Sequence, residues 1–116
     1  MKTFKTLIID DEWLIRLELR RMLSQYPNVS VVGEAANLRE AFVAVQEKKP
    51  DLIFLDIEMP GGSGFDFLEQ AEGAFKTIIV TAFPQYLSRA RKFNAIDYLL
   101  KPISQERLSK AILNLE

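Results

Sequence analysis

Five short apolar runs, each closed by polar residues and followed by a helix-like pattern, limit the possible folds of this chain more than any other feature. They are Phe4 to Ile9, Val29 to Gly33, Leu52 to Leu55, Thr77 to Thr81 and Ala95 to Leu100, all of strand length and rich in β-branched or aromatic residues. Continuous apolarity, as in Leu52-Ile53-Phe54-Leu55 or Ile78-Ile79-Val80, means burial on both faces, the habit of parallel strands beneath helices. Between the runs, Ile15, Leu19, Met22 and Leu23 recur at helical spacing, so Glu12 to Gln25 reads as an amphipathic helix ahead of Pro27. Asn37 is an N-cap candidate for a second helix, which buries Ala41, Val45 and Phe42 and stops before Pro50. Gly64 to Gly73 makes a shorter third, Pro84 opens a fourth that ends at Asn94, and Ser104 caps a fifth over Glu106 to Leu115. In that last helix Leu108, Ile112 and Leu115 share a stripe.

The pattern is (βα)5, without internal repeat, low-complexity stretch or linker. Right-handed crossovers and a sheet covered on both sides leave chiefly a doubly wound α/β sandwich of three layers, with a parallel sheet in the order 2-1-3-4-5. At 116 residues, 48% hydrophobic and 27% charged, residues 1–116 are expected to form one self-folding domain. The functional crevice of such a sheet lies beyond the carboxyl ends of its strands, where the strand order reverses.

Composition removes several chemistries. With 0 Cys there is no disulfide framework, thiolate metal site or cysteine nucleophile. With 0 His there is no Ser-His-Asp catalysis, no imidazole zinc site and no phosphohistidine of the chain's own. Lys plus Arg number 15 against 16 Asp plus Glu, so no global positive field draws the chain to nucleic acid or to a membrane. Nowhere do about 18 apolar residues run together, and a cytoplasmic location is expected.

The strand-final residues carry the chemical signal. Asp10 and Asp11 follow the first run, Asp56 the third, Thr81 closes the fourth and Lys101 follows the fifth, while Glu34 after the second is the odd one out. In the 2-1-3-4-5 order the first, third, fourth and fifth ends converge. Three carboxylates in one crevice repel unless a divalent cation or a proton offsets their charge, and an oxygen-only donor set favours Mg²⁺, with Mn²⁺ or Ca²⁺ as alternatives. Each residue also has an ordinary reading. Asp10 and Asp11 can cap the first helix, Asp56 can open the turn through Gly62, Thr81 can be a plain strand residue, and Lys101 is one of many cations. Their shared end of the sheet is what structure alone does not demand.

Leu7-Ile8-Ile9-Asp10-Asp11-Glu12, Leu52 through Pro60 with Gly64, Ile79-Val80-Thr81-Ala82 and Asp97-Tyr98-Leu99-Leu100-Lys101-Pro102 together resemble the receiver domain of two-component response regulators over the whole chain. The resemblance implies that Asp56 accepts a phosphoryl group from a sensor histidine kinase. It implies that Asp10 and Asp11 hold Mg²⁺ with Asp56 and the backbone carbonyl of Glu58, and that Thr81 and Lys101 bind phosphoryl oxygens. The Lys101-Pro102 bond would be cis. A carboxylate nucleophile suffices because the transition state is loose, so catalysis is mainly alignment and charge neutralisation. The domain would catalyse only its own phosphorylation and dephosphorylation, and would not be an enzyme in the wider sense.

The resemblance further implies a switch, in which Thr81 turns to the phosphoryl group and Tyr98 swings from solvent into the vacated gap; Tyr98 also reads as an ordinary half-buried aromatic. Phe83 and Glu58 flank the site and would tune phosphoryl lifetime. The face made by the fourth helix, fifth strand and fifth helix would carry the output, with a homodimer through that face as one form of it. Residues 84 to 110 hold 6 bases and 2 acids against 6 bases and 13 acids in residues 10 to 72, and Arg89, Arg91, Lys92, Arg107 and Lys110 could pair across that dimer or be merely solvated. Trp13, Leu14 and Leu17 form an apolar group off the Ile15 stripe, either a docking surface or a patch under a loop. Phe83-Pro84-Gln85-Tyr86 and Asn94-Ala95-Ile96-Asp97-Tyr98 resemble receivers that precede LytTR-type DNA-binding domains. The expectation is thus a receiver excised from a transcriptional regulator, with DNA contacted only through an output domain beyond Glu116; a stand-alone receiver is the alternative. Asp-nucleophile phosphatases need an acid better than Glu58 and a longer chain, and a flavodoxin-like binder needs a Ser/Thr-rich loop where this chain has three acids.

Overall fold

The computed structural model of the protein describes residues 2–115. Strands β1 (Phe4–Ile9), β2 (Val29–Ala35), β3 (Leu52–Asp56), β4 (Lys76–Thr81) and β5 (Asp97–Leu100) form one sheet in the order β2-β1-β3-β4-β5. Every neighbouring pair is parallel. Helices α1 (Trp13–Leu23), α2 (Leu38–Lys48), α3 (Gly64–Gln70), α4 (Leu87–Lys92) and α5 (Gln105–Leu113) connect and cover it. The doubly wound layout read from the sequence is the observed one.

The twofold alternation of strand side chains divides the core between the two helical layers. Phe4, Ile8, Phe54, Ile78 and Val80 cluster with Leu19 and Leu23 of α1 and Leu108 and Ile112 of α5. Their sequence neighbours Leu7, Ile9, Ile53 and Leu55 cluster with Ala41 and Val45 of α2 and Phe67 of α3. A third and smaller group, Ile57, Phe65, Ile79 and Ala90, seats α4. Each fully buried Leu, Ile or Phe contributes about 1.5–3 kcal/mol, and β3 is buried along its whole length, which is why that run shows no polar face.

Local signals set the helix starts. Asn37 accepts the Glu40 N–H at 2.9 Å, Ser104 accepts that of Arg107 at 3.1 Å, and Ser63 forms a reciprocal capping box with Asp66. Some boundaries differ from the sequence reading. β2 runs on through Glu34 and Ala35 because Ile8 and Ile9 pair with them, so Glu34 is a strand residue. β5 begins at Asp97, later than Ala95. α1 is shorter than Glu12 to Gln25, and α3 stops at Gln70 because Ala71 turns to extended backbone. Pro84–Tyr86 is a separate 3-10 turn ahead of α4, whose exit passes through Asn94 at φ 56°. Leu115, expected within α5, lies past its end yet is fully buried. Glu116 lies outside the described residues.

Candidate functional site

β1 and β3 are neighbours, so their carboxyl ends deliver Asp10, Asp11 and Asp56 to one crevice. One carboxylate oxygen from each lies within 4.8 Å of the others. Asp10 is 2% and Asp56 4% exposed, whereas Asp11 faces solvent. The capping reading of the acid pair holds only in part. The N-cap of α1 is Glu12 and makes no side-chain cap bond; Asp10 Oδ1 accepts the Glu12 N–H at 2.9 Å, which leaves Asp11 without that duty.

Lys101 closes the crevice from the end of β5. Its Nζ stands 2.9 Å from Asp10 Oδ2, 3.4 Å from Glu12 Oε1 and 3.6 Å from Asp56 Oδ1. Its backbone N–H donates to the Thr81 carbonyl at 2.8 Å, and the Lys101-Pro102 peptide is cis, as the resemblance implied. Burial disfavours the ammonium, but the bond from Asp10 and the charge of Asp56 outweigh it and raise its pKa. Burial, reinforced by the Asp10 charge and opposed by Lys101, pushes the Asp56 carboxyl up to about 7. Burial likewise raises Asp10. One ammonium thus fails to neutralise three carboxylates, and the deficit appears as proton affinity. An oxygen-only set of this geometry can hold a hard divalent cation in place of that proton.

Thr81 is fully buried at the end of β4, and its Oγ1 accepts the Phe83 N–H at 3.1 Å. Tyr98 is 37% exposed, with the Arg107 guanidinium 5.5 Å from its ring centroid. Arg107 pairs with Asp97 of the same chain, a contact within the chain that the sequence reading did not anticipate. Trp13 and Leu14 are 66% and 57% exposed, which rules out cover by a loop; Leu17 is half-buried.

Three site-flanking roles have no signal in the sequence. Arg16 donates to the Asp10 carbonyl at 2.6 Å and to Glu34 Oε1 at 2.9 Å, while Arg20 holds the other Glu34 oxygen at 2.7 Å. Burial raises the Glu34 pKa, but these two guanidiniums more than offset it and leave the carboxyl below its ordinary value. Glu34, the odd strand-end acid, therefore braces α1 against β2 and keeps clear of the crevice. Glu12 is the second carboxylate on Lys101, and Tyr86 Oη donates to Glu58 Oε1 at 2.8 Å.

The family model described as the response regulator receiver domain matches residues 6–113. The transcriptional regulatory protein BtsR of Salmonella typhi is 44% identical over 110 residues, 93% of this chain and 46% of that protein. The sensory transduction protein LytT of Enterococcus faecalis is 42% identical over 109 residues, 91% of this chain and 45% of that protein. The chain spans about half the length of the curated relatives it matches. Among solved structures, the response regulatory domain of protein mrkE from Klebsiella pneumoniae superposes with a TM-score of 0.87 at 27% identity, covering 96% of this chain and 93% of that one. BtsR and LytT, both of LytTR type, support the subfamily read from the wording around β5. No helix among the described residues is long and apolar enough to cross a membrane. With the family model matched over residues 6–113 and relatives of 44% and 42% identity across more than nine-tenths of its length, the chain belongs to the response regulator receiver domain family.

Proposed function

We propose that the chain is a phosphorylation-operated switch with Asp56 as its phospho-acceptor. The observation that carries this reading is the crevice itself: a buried strand-final carboxylate with Lys101 Nζ 3.6 Å away and two further aspartates within 4.8 Å. A carboxylate oxygen of Asp56 attacks phosphorus in line, the phosphorus–nitrogen bond of a partner kinase's phosphohistidine breaks, and the imidazole leaves with the bonding electrons. Water later attacks phosphorus and returns the aspartate. Lys101 offsets oxygen charge as it develops, and Thr81, once turned inward, donates its hydroxyl to a phosphoryl oxygen. Asp10, Asp11, Asp56 and the backbone carbonyl of Glu58 would hold Mg²⁺, for which Mn²⁺ can substitute. The ion supplies charge neutralisation between the acids and the incoming phosphoryl group.

The output face carries Tyr98 and Leu100, both exposed, together with Arg89, Arg91, Lys92 and Lys110. Movement of Tyr98 would change its shape and favour a homodimer through α4, β5 and α5. Relatives named as transcriptional regulatory proteins support a role in transcription control; we infer that DNA is contacted through a separate output domain and that the protein works in the cytoplasm.

Incubation with acetyl phosphate and Mg²⁺ should add the mass of one phosphoryl group to the intact chain, and Asp56→Asn should abolish the addition. Equal labelling of Asp56→Asn would place the acceptor elsewhere.

A further inference from the structure

The turn that follows β4 is fastened to the loop that follows β3. Among the described residues, the bond from Tyr86 Oη to Glu58 Oε1 is the one side-chain hydrogen bond that links them, at 2.8 Å. The Tyr86 ring stands edge-on to Phe65 at 5.9 Å and to Phe83 at 6.0 Å, so packing aims the hydroxyl. Sharing its proton with the Glu58 carboxylate raises the Tyr86 pKa. Glu58 is a firm anchor: its backbone pairs with Ser63, and beside it the Gly64 N–H donates to the Ile57 carbonyl at 2.8 Å. At the other end of the turn, Phe83 N–H is bonded to Thr81 Oγ1, and Pro84–Tyr86 follows at once. The Tyr86 N–H also donates to the Phe83 carbonyl at 3.2 Å, so a displacement of Thr81 that carried Phe83 with it would strain the Tyr86 bond to Glu58.

The geometry points to Tyr86 as a positioning residue of the switch: its bond to Glu58 holds the turn after β4 in the outward arrangement, with Tyr98 half-exposed, and opens when Thr81 moves toward a phosphoryl group on Asp56. This rests on the acceptor reading above. A solvent-accessible hydrogen bond to a carboxylate biases a two-state balance by about five-fold. Removal of the hydroxyl therefore pre-pays part of the rearrangement and tightens whatever binds the inward state.

Tyr86→Phe keeps the ring contacts and removes only the hydroxyl. Wild type and variant are titrated by calorimetry with Mg²⁺ alone, then with beryllofluoride in saturating Mg²⁺, and the Tyr98 signals of the free proteins are compared by NMR. The expected result is an unchanged Mg²⁺ affinity and a beryllofluoride Kd lowered about five-fold. The Tyr98 signals of the free variant should shift toward those of beryllofluoride-bound wild type. Local loosening of the loop would weaken beryllofluoride binding and leave the free Tyr98 signals in place, and that result, or equal affinities, overturns the proposal. Failure of wild type itself to bind beryllofluoride would instead bring down the acceptor assignment, and this inference with it.

Discussion

Asp56 is held in a position that its own charge opposes. Its carboxyl sits at about 7 in the folded chain against an ordinary value of 3.8, through burial and the neighbouring Asp10. A carboxyl raised on folding contributes stability that is fully present below its unfolded pKa and is lost as pH rises through the folded one. For Asp56 the loss falls between about pH 4 and pH 7, because the unfolded chain ionises there and the folded chain resists. Asp56→Asn removes the penalty. In the presence of a chelator its thermal midpoint should exceed that of wild type, by a margin of several degrees at about pH 8 that shrinks toward about pH 5. A margin independent of pH would show that the strain does not come from this ionisation. Mg²⁺ should narrow the margin at the higher pH by stabilising only the wild type, since the Asn variant loses one anionic ligand.

Among the elements, the loop from β3 to α3 has the tightest tolerance. A Cβ on Gly64 would lie 2.5 Å from the Asp56 backbone carbonyl and 3.1 Å from Ile57 Cα, and neither atom belongs to a flexible side chain. Gly64→Ala should cost about 1–3 kcal/mol in urea denaturation and slow phosphoryl labelling, because relief of the clash displaces Asp56. Normal labelling would show that the loop gives way elsewhere. What the sequence disclosed about elements follows the range of the forces involved. Strand runs and the caps at Asn37 and Ser104 are contacts within a few residues, so spacing alone reveals them, and the strand-final acids follow once the parallel sheet is inferred. Arg16 with Glu34, Lys101 with Glu12 and Tyr86 with Glu58 are side chains brought together from distant elements, and no periodicity marks them. The overlong fourth helix has a simple origin: Pro84 permits either a first helical turn or a 3-10 turn, and the structure adopts the latter over Pro84–Tyr86.

At the scale of the whole molecule, α5 and α4 seat on different buried clusters of one sheet. Tyr98 and the basic side chains of α4 and α5 share the output face, and within it Arg107 is already committed to Asp97. Sedimentation of the chain with and without beryllofluoride and Mg²⁺ should show association only in their presence, and Leu100→Asp should reduce it several-fold, since Leu100 is 39% exposed on β5 and belongs to none of the core clusters. No association in either condition would confine the output of this face to heterologous contacts. The division of the core described above bears on where such movement can occur. Among the described residues, α1 and α5 together contribute five side chains to a cluster of fourteen buried ones, whereas α4 contributes only Ala90 to a cluster of four. Sliding α4 thus disturbs little apolar surface, and the fold keeps its least-moored helix beside the residue that receives the message.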